Sequence, residues 1–360
     1  MKKKKILIII ISVFAAVLIL IASAFAFIIH KGYGITAGRA LITDNDTYML
    51  IDESSPIVIS TKKDKNEFFK DIETGDRILV IHDGIEETYP AQTGAYLCIK
   101  LEDGSVSDIN SEILIQLAEM GWLSDEYSGV TIDKMLISVS DSNAVVDMIG
   151  FFIYNGRSYV SYESLDDDSL KGDYIGRATG SIDEWSSPDD YIEFSGSTSG
   201  DIYTVNGYGE DFMLCIDNKD GTVTTYINNN DITMIYGYEL FRDRLKLAEN
   251  YTSVAYQTRG DWYYSTGEPT EFDNSQAVDE FIDTLYSSRF MYTADIPLDS
   301  ENSSVYDEKE IYHLFFKMNN GTTVHLRLFS GGYVMFAGIS DVCVKVDKTV
   351  FENLTELLSY

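Results

Sequence analysis

The chain has 360 residues, of which 58 are acidic and 27 are Lys or Arg, for a formal net charge of −31 at pH 7. That charge repels phosphate backbones, and no run of Lys or Arg beyond Lys2 to Lys5 is long enough to release counterions, so no nucleic-acid partner is expected. A composition of 25 Tyr and 18 Phe against 5 Pro describes a β-rich globular protein, and the length exceeds what one core holds, so two or three domains are expected.

Lys2, Lys3, Lys4 and Lys5 precede an uncharged run from Ile6 to Ile29. At about 1.5 Å per helical residue this run reaches roughly 36 Å, enough for a ~30 Å hydrocarbon core. The expectation is a basic cytoplasmic tail (1–5) and a transmembrane signal-anchor (6–29). The lysines then set a single-pass topology at the cell membrane, with the bulk of the chain extracytoplasmic. A cleaved signal peptide ending at Ala22-Ser23-Ala24 or Ala24-Phe25-Ala26 is the competing reading, but the apolar run exceeds the roughly 7–15 residues of such peptides.

Five strand-like segments follow: Ile35 to Thr43, Thr47 to Ile51, Pro56 to Ser60, Arg77 to His82 and Ala95 to Leu101. A short helix carrying Phe68, Phe69 and Ile72 on one side joins the third to the fourth, and Asp44-Asn45-Asp46 and Asp83-Gly84 have turn chemistry. Together they predict a small closed barrel of the OB type over 30–104. The segment Gly75-Asp76-Arg77-Ile78-Leu79-Val80-Ile81-His82-Asp83-Gly84-Ile85-Glu86-Glu87-Thr88-Tyr89-Pro90-Ala91 resembles the signature of small YobA-like extracytoplasmic bacterial domains, a likeness confined to residues 35–101. It implies a barrel-like fold in a Gram-positive exported context. No catalytic residues come with it, since the function of those domains is unknown.

Residues 105–129 read as a helical connector, because Ile113, Leu114, Leu117 and Ala118 repeat at helical spacing before Gly121. Strands dominate 130–270, including a hairpin turning at Asn155-Gly156. Over 271–360 an α+β module is expected: Asp273 and Gln276 cap a first helix, strands fill Ile311 to Val346, and Thr349 and Glu352 open a last helix. The predicted class is therefore α+β, a β-rich multidomain chain with a transmembrane helix, a barrel, a central antiparallel region and two helices on a C-terminal antiparallel sheet.

Chemistry is sparse. Cys98, Cys215 and Cys343 lie in apolar runs and read as buried free thiols, with one disulfide and a leftover thiol as the alternative. Of four histidines, His313 and His325 are close in sequence; a two-residue turn at Asn320-Gly321 sends them to opposite faces, whereas a three-residue turn sets them diagonally on one face. No metal site, cofactor or catalytic residue is assigned. Asp261-Trp262-Tyr263-Tyr264 reads as a strand placing Trp262 and Tyr264 on one face, as binding residues for a sugar or a partner protein; core packing is the competing explanation. The function expected is a membrane-anchored, non-enzymatic binding or regulatory module for a cell-envelope protein or glycan. The alternative is an envelope hydrolase using a carboxylate pair on glycan or peptide.

Overall fold

The computed structural model describes residues 32–52, 55–124, 127–133, 149–183, 185–300 and 303–359. They belong to two units, one ending at Ser128 and one beginning at Gly129.

In the first unit, β1 (Gly34–Ile42), β2 (Tyr48–Ile51), β3 (Pro56–Ser60), β4 (Arg77–Glu86) and β5 (Ala91–Glu102) close into a barrel of order β1-β2-β3-β5-β4, with β4 returning to β1. Only β3 and β5 run parallel. Parallel neighbours need a crossover, and the crossover supplies α1 (Lys65–Phe68), capped by the Asp64 side chain accepting from Glu67 N. Phe69 and Ile72 then enter the barrel core beside Ile78 and Val80, with Phe69 stacked on Tyr48 at 4.0 Å between ring centroids. At the barrel end Asp76 is buried and accepts from Lys100 Nζ (2.7 Å), Glu73 N (2.7 Å) and Gly104 N (3.1 Å). Burial alone would raise its carboxyl, but these donors outweigh burial and hold it below the usual carboxylate range.

The expected fourth strand stops at His82, yet β4 runs on to Glu86. Asp83 and Gly84 form no turn: they are the two residues of a bulge opposite Gly94, between the pairs His82↔Ala95 and Ile85↔Thr93. Gly75 has φ +96°, and a Cβ there would come within 2.1 Å of Ser105 O, so backbone proximity requires glycine. The connector helix α2 (Ser111–Glu119) buries Ile113, Leu114, Leu117 and Ala118 and is capped by Asn110.

In the second unit, β6 (Val130–Asp133) pairs with β13 (Asn230–Met234). A six-stranded sheet has the order β7-β8-β12-β11-β10-β9, from β7 (Phe151–Tyr154), β8 (Arg157–Leu165), β9 (Lys171–Thr179), β10 (Ser199–Val205), β11 (Met213–Asp217) and β12 (Val223–Asn228). Its first hairpin turns at Asn155-Gly156, both with positive φ, as a two-residue turn between right-twisted strands requires. A seven-stranded sheet has the order β15-β14-β17-β18-β19-β20-β16, from β14 (Tyr251–Thr258), β15 (Thr270–Glu271), β16 (Phe290–Tyr292), β17 (Glu310–Met318), β18 (Thr323–Phe329), β19 (Tyr333–Phe336) and β20 (Val342–Lys345). Helix α3 (Arg259–Tyr264) follows β14, while α4 (Ser275–Ser287) and α5 (Lys348–Leu357) pack together and bury Phe281, Leu285, Phe351 and Leu354.

Asn274 and Asp347 cap α4 and α5, one or two residues from the caps expected, because their carbonyl or carboxylate oxygens reach Ala277 N and Val350 N. One apolar core runs through the second unit from Val130 to Leu358 and crosses residue 270, where the sequence suggests a domain boundary. Met213, Cys215 and Ile227 of the six-stranded sheet share it with Leu314, Phe316 and Val334 of the seven-stranded one, and β14, paired with β17, adds Val254.

One expectation about fold class is corrected. Among the described residues no helix is long and apolar enough to cross a membrane. The 13 residues of α4 reach only about 20 Å, and their other face is polar. The transmembrane signal-anchor expected over Ile6 to Ile29 is thus not an element of the observed fold, and it lies outside the described residues together with Lys2, Lys3, Lys4 and Lys5. Cys98, Cys215 and Cys343 are free thiols, and burial pushes Cys98 up to about 11 and the other two to about 12.

Candidate functional site

Alternation along β17 sends Leu314, Phe316 and Met318 into the core and leaves His313 and Phe315 on the opposite face of the sheet. On β18, Val324, Leu326 and Leu328 face the core, so His325 and Arg327 share the face of His313. The register pairs Phe315 with His325 and His313 with Arg327, which makes the histidines diagonal neighbours. It follows from a three-residue loop, Asn319-Asn320-Gly321, with Met318 N donating to Thr322 O and Gly321 at φ +90°. Of the two turns open to the sequence, the longer one is adopted.

The histidines bond directly, His313 Nδ1 to His325 Nε2 at 2.8 Å. Phe315 stacks on His325 at 4.6 Å, and the indole of Trp262 lies 4.9 Å from each imidazole. His313 is fully buried; its Nε2 lies 3.4 Å from Glu310 Oε1 and makes no hydrogen bond. Glu310 accepts from Arg327 Nε, and Arg259 Nε stands 3.9 Å from its other oxygen. Arg259 Nε donates to Tyr306 O (2.7 Å), its terminal nitrogen pairs with Asp307 (2.9 Å), and its guanidinium lies over Tyr263.

Burial lowers both imidazoles, His313 to about 4 and His325 to about 3, reinforced by Arg327 for both, by Arg259 for His313 and by His313 for His325. At neutral pH the pair is therefore uncharged. Its facing nitrogens are occupied by one another, and among the described residues no group of three or more His, Cys, Asp or Glu is placed to hold a metal ion.

The residues expected to bind are positioned differently from the sequence reading. Residues 259–264 form α3, so Trp262 and Tyr264 do not share a strand face. Thr258 caps this helix by accepting from Asp261 N (3.1 Å) while donating to Asp261 Oδ2 (2.7 Å), and Ser265 closes it at φ +52°. The Thr258-x-x-Asp261 spacing is the sequence signal for this helix start; the strand preference of three aromatics in a row masks it. Trp262 turns one face onto the imidazole pair and remains 45% exposed, while Tyr263 and Tyr264 are 67% and 72% exposed and meet edge to face at 86°. Chemically, the site is a shielded, neutral polar base under an exposed aromatic ridge.

No family model, curated protein or solved structure matches this chain.

Proposed function

We propose that this protein is a non-catalytic binding or regulatory module, and that α3 inserts Trp262, Tyr263 and Tyr264 into a concave surface of a partner protein. The observation carrying this reading is a run of three exposed aromatics on a capped helix, whose Trp262 is fixed from beneath by His313, His325 and Phe315. Large aromatics left in solvent on a rigid support are the composition of binding hot spots, because little rotamer entropy is lost on docking. Tyr263 and Tyr264 stand nearly perpendicular, which offers a ridge for a protein pocket and no continuous flat platform for a sugar. The resemblance of Gly75 to Ala91 to YobA-like domains supports a partner in the cell envelope.

A photo-crosslinking amino acid in place of Tyr263 or Tyr264 in intact cells tests the proposal. One discrete adduct is expected. No adduct, or the same adducts from the remote exposed position Tyr174, would count against it.

A further inference from the structure

The barrel of the first unit carries a groove that owes nothing to α3. Two bulges lie close together on the β4–β5 ribbon. Tyr96 falls between the pairs Ile81↔Leu97 and His82↔Ala95, and Asp83 and Gly84 stand opposite Gly94. A bulge re-aims side chains, and here Tyr96 is left 47% exposed on the outer surface. Between the bulges Gly94 gives the strand no side chain; Asp83 Oδ1 accepts from Gly94 N at 3.0 Å, and a Cβ on Gly94 would come within 2.7 Å of Asp83 Oδ2.

The bare backbone of β5 thus becomes the floor of a groove of about 430 Å³, within the range of small-ligand sites. One wall is the segment after β3, carrying Lys62 and Lys63 and held to the floor by Ser60 Oγ donating to Thr93 O (2.9 Å). The other wall is β4, carrying Asp83 and Glu86, and Tyr96 also lines the groove.

Because β3 and β4 flank β5, the walls stand two strand spacings apart, roughly 10 Å. That span matches two to three extended residues. Two lysines line one wall and two carboxylates the other, so a polyanion or a polycation satisfies only one wall. A molecule with both signs at its ends satisfies both. Lys62 and Glu86 have no ion-pair partner among the described residues, and all four charged groups stand exposed at the rim.

We propose that this groove binds a di- or tripeptide lying across β5, its terminal carboxylate towards Lys62 and Lys63, its terminal ammonium towards Asp83 and Glu86, and a side chain against Tyr96. The probe is trialanine, titrated calorimetrically into the full chain beside its N-acetyl form, its C-amide form and maltotriose. Saturable binding of trialanine is expected, weakened about threefold to fivefold by either block, since each removes one exposed ion pair. The double variant Lys62→Met, Lys63→Met should bind trialanine more weakly and no longer distinguish the acid from the amide. These lysines are exposed in a loop, so the variant keeps its fold, which far-UV circular dichroism checks. Equal affinity for the blocked peptides, preference for maltotriose, or no saturation up to about 10 mM would each overturn the assignment. Tyr263→Ala should leave the titration unchanged, so failure here and failure of the α3 reading are separate results.

Discussion

A second proton cannot enter between His313 Nδ1 and His325 Nε2 without setting two N–H groups head to head at 2.8 Å. In the unfolded chain each imidazole protonates near its ordinary value of 6.5, whereas the fold holds them near 4 and 3. The unfolded state therefore binds more protons across that window, and stability is lost as pH falls from about 6.5 towards 4. Arg327 and Arg259 add to the cost of a charged ring, while the buried Glu310 opposes it. Urea unfolding at about pH 7 and pH 5 should show a smaller loss in His313→Gln, His325→Gln than in the parent chain; equal losses would mean that other groups govern the acid response. Asp76 is a second decisive residue. Replacing it with Ala leaves Glu73 N and Gly104 N without their acceptor at the barrel end and takes one of two carboxylate partners from Lys100, which keeps Asp103, an expected cost of about 2 kcal/mol in the same assay.

Among the elements, the β17–β18 loop has the widest consequence, because one residue more or less in a hairpin decides which face every following side chain takes. Asn320-Gly321 reads equally well as a two-residue turn, and only the pairing of Phe315 with His325 excludes it. The histidine pair was therefore illegible from residue types, although both of its prerequisites were visible as alternatives. Gly321→Ala forces a side chain into φ +90° and should cost about 1 kcal/mol, read as a shift in the urea midpoint. Helix α3 was hidden differently: Trp262, Tyr263 and Tyr264 favour strands, and a Thr258 cap with an αL stop at Ser265 overrides them. By contrast, the turn at Asn155-Gly156 and the stripes of α2 and α4 were legible, since each depends on local chemistry or a period of 3.6. Trp262→Ala removes packing from three rings and should cost about 2 kcal/mol, whereas Tyr263→Ala and Tyr264→Ala should stay within about 0.5 kcal/mol and lose only the cross-linked partner.

Across the whole molecule, the barrel strands were readable one by one, while the reach of the second core was not, because β14 has the two-residue β15 on one side and, on the other, β17, which begins some fifty residues later. Sequence-local signals carry no trace of such a pairing. A fragment of residues 129–270 should consequently fail to fold, and 129–360 should fold cooperatively; amide exchange of the two fragments tests this, and slow exchange in the shorter one would refute its dependence on the residues beyond 270. The three thiols extend this test to the intact chain. Cys98 belongs to the barrel, Cys215 to the six-stranded sheet and Cys343 to the seven-stranded sheet, each free and none duplicated within its sheet. Nature has thereby installed one reporter in each of the three larger sheets: the speed at which an alkylating reagent marks each sulfur clocks how often that layer breathes open, without any probe having to be engineered.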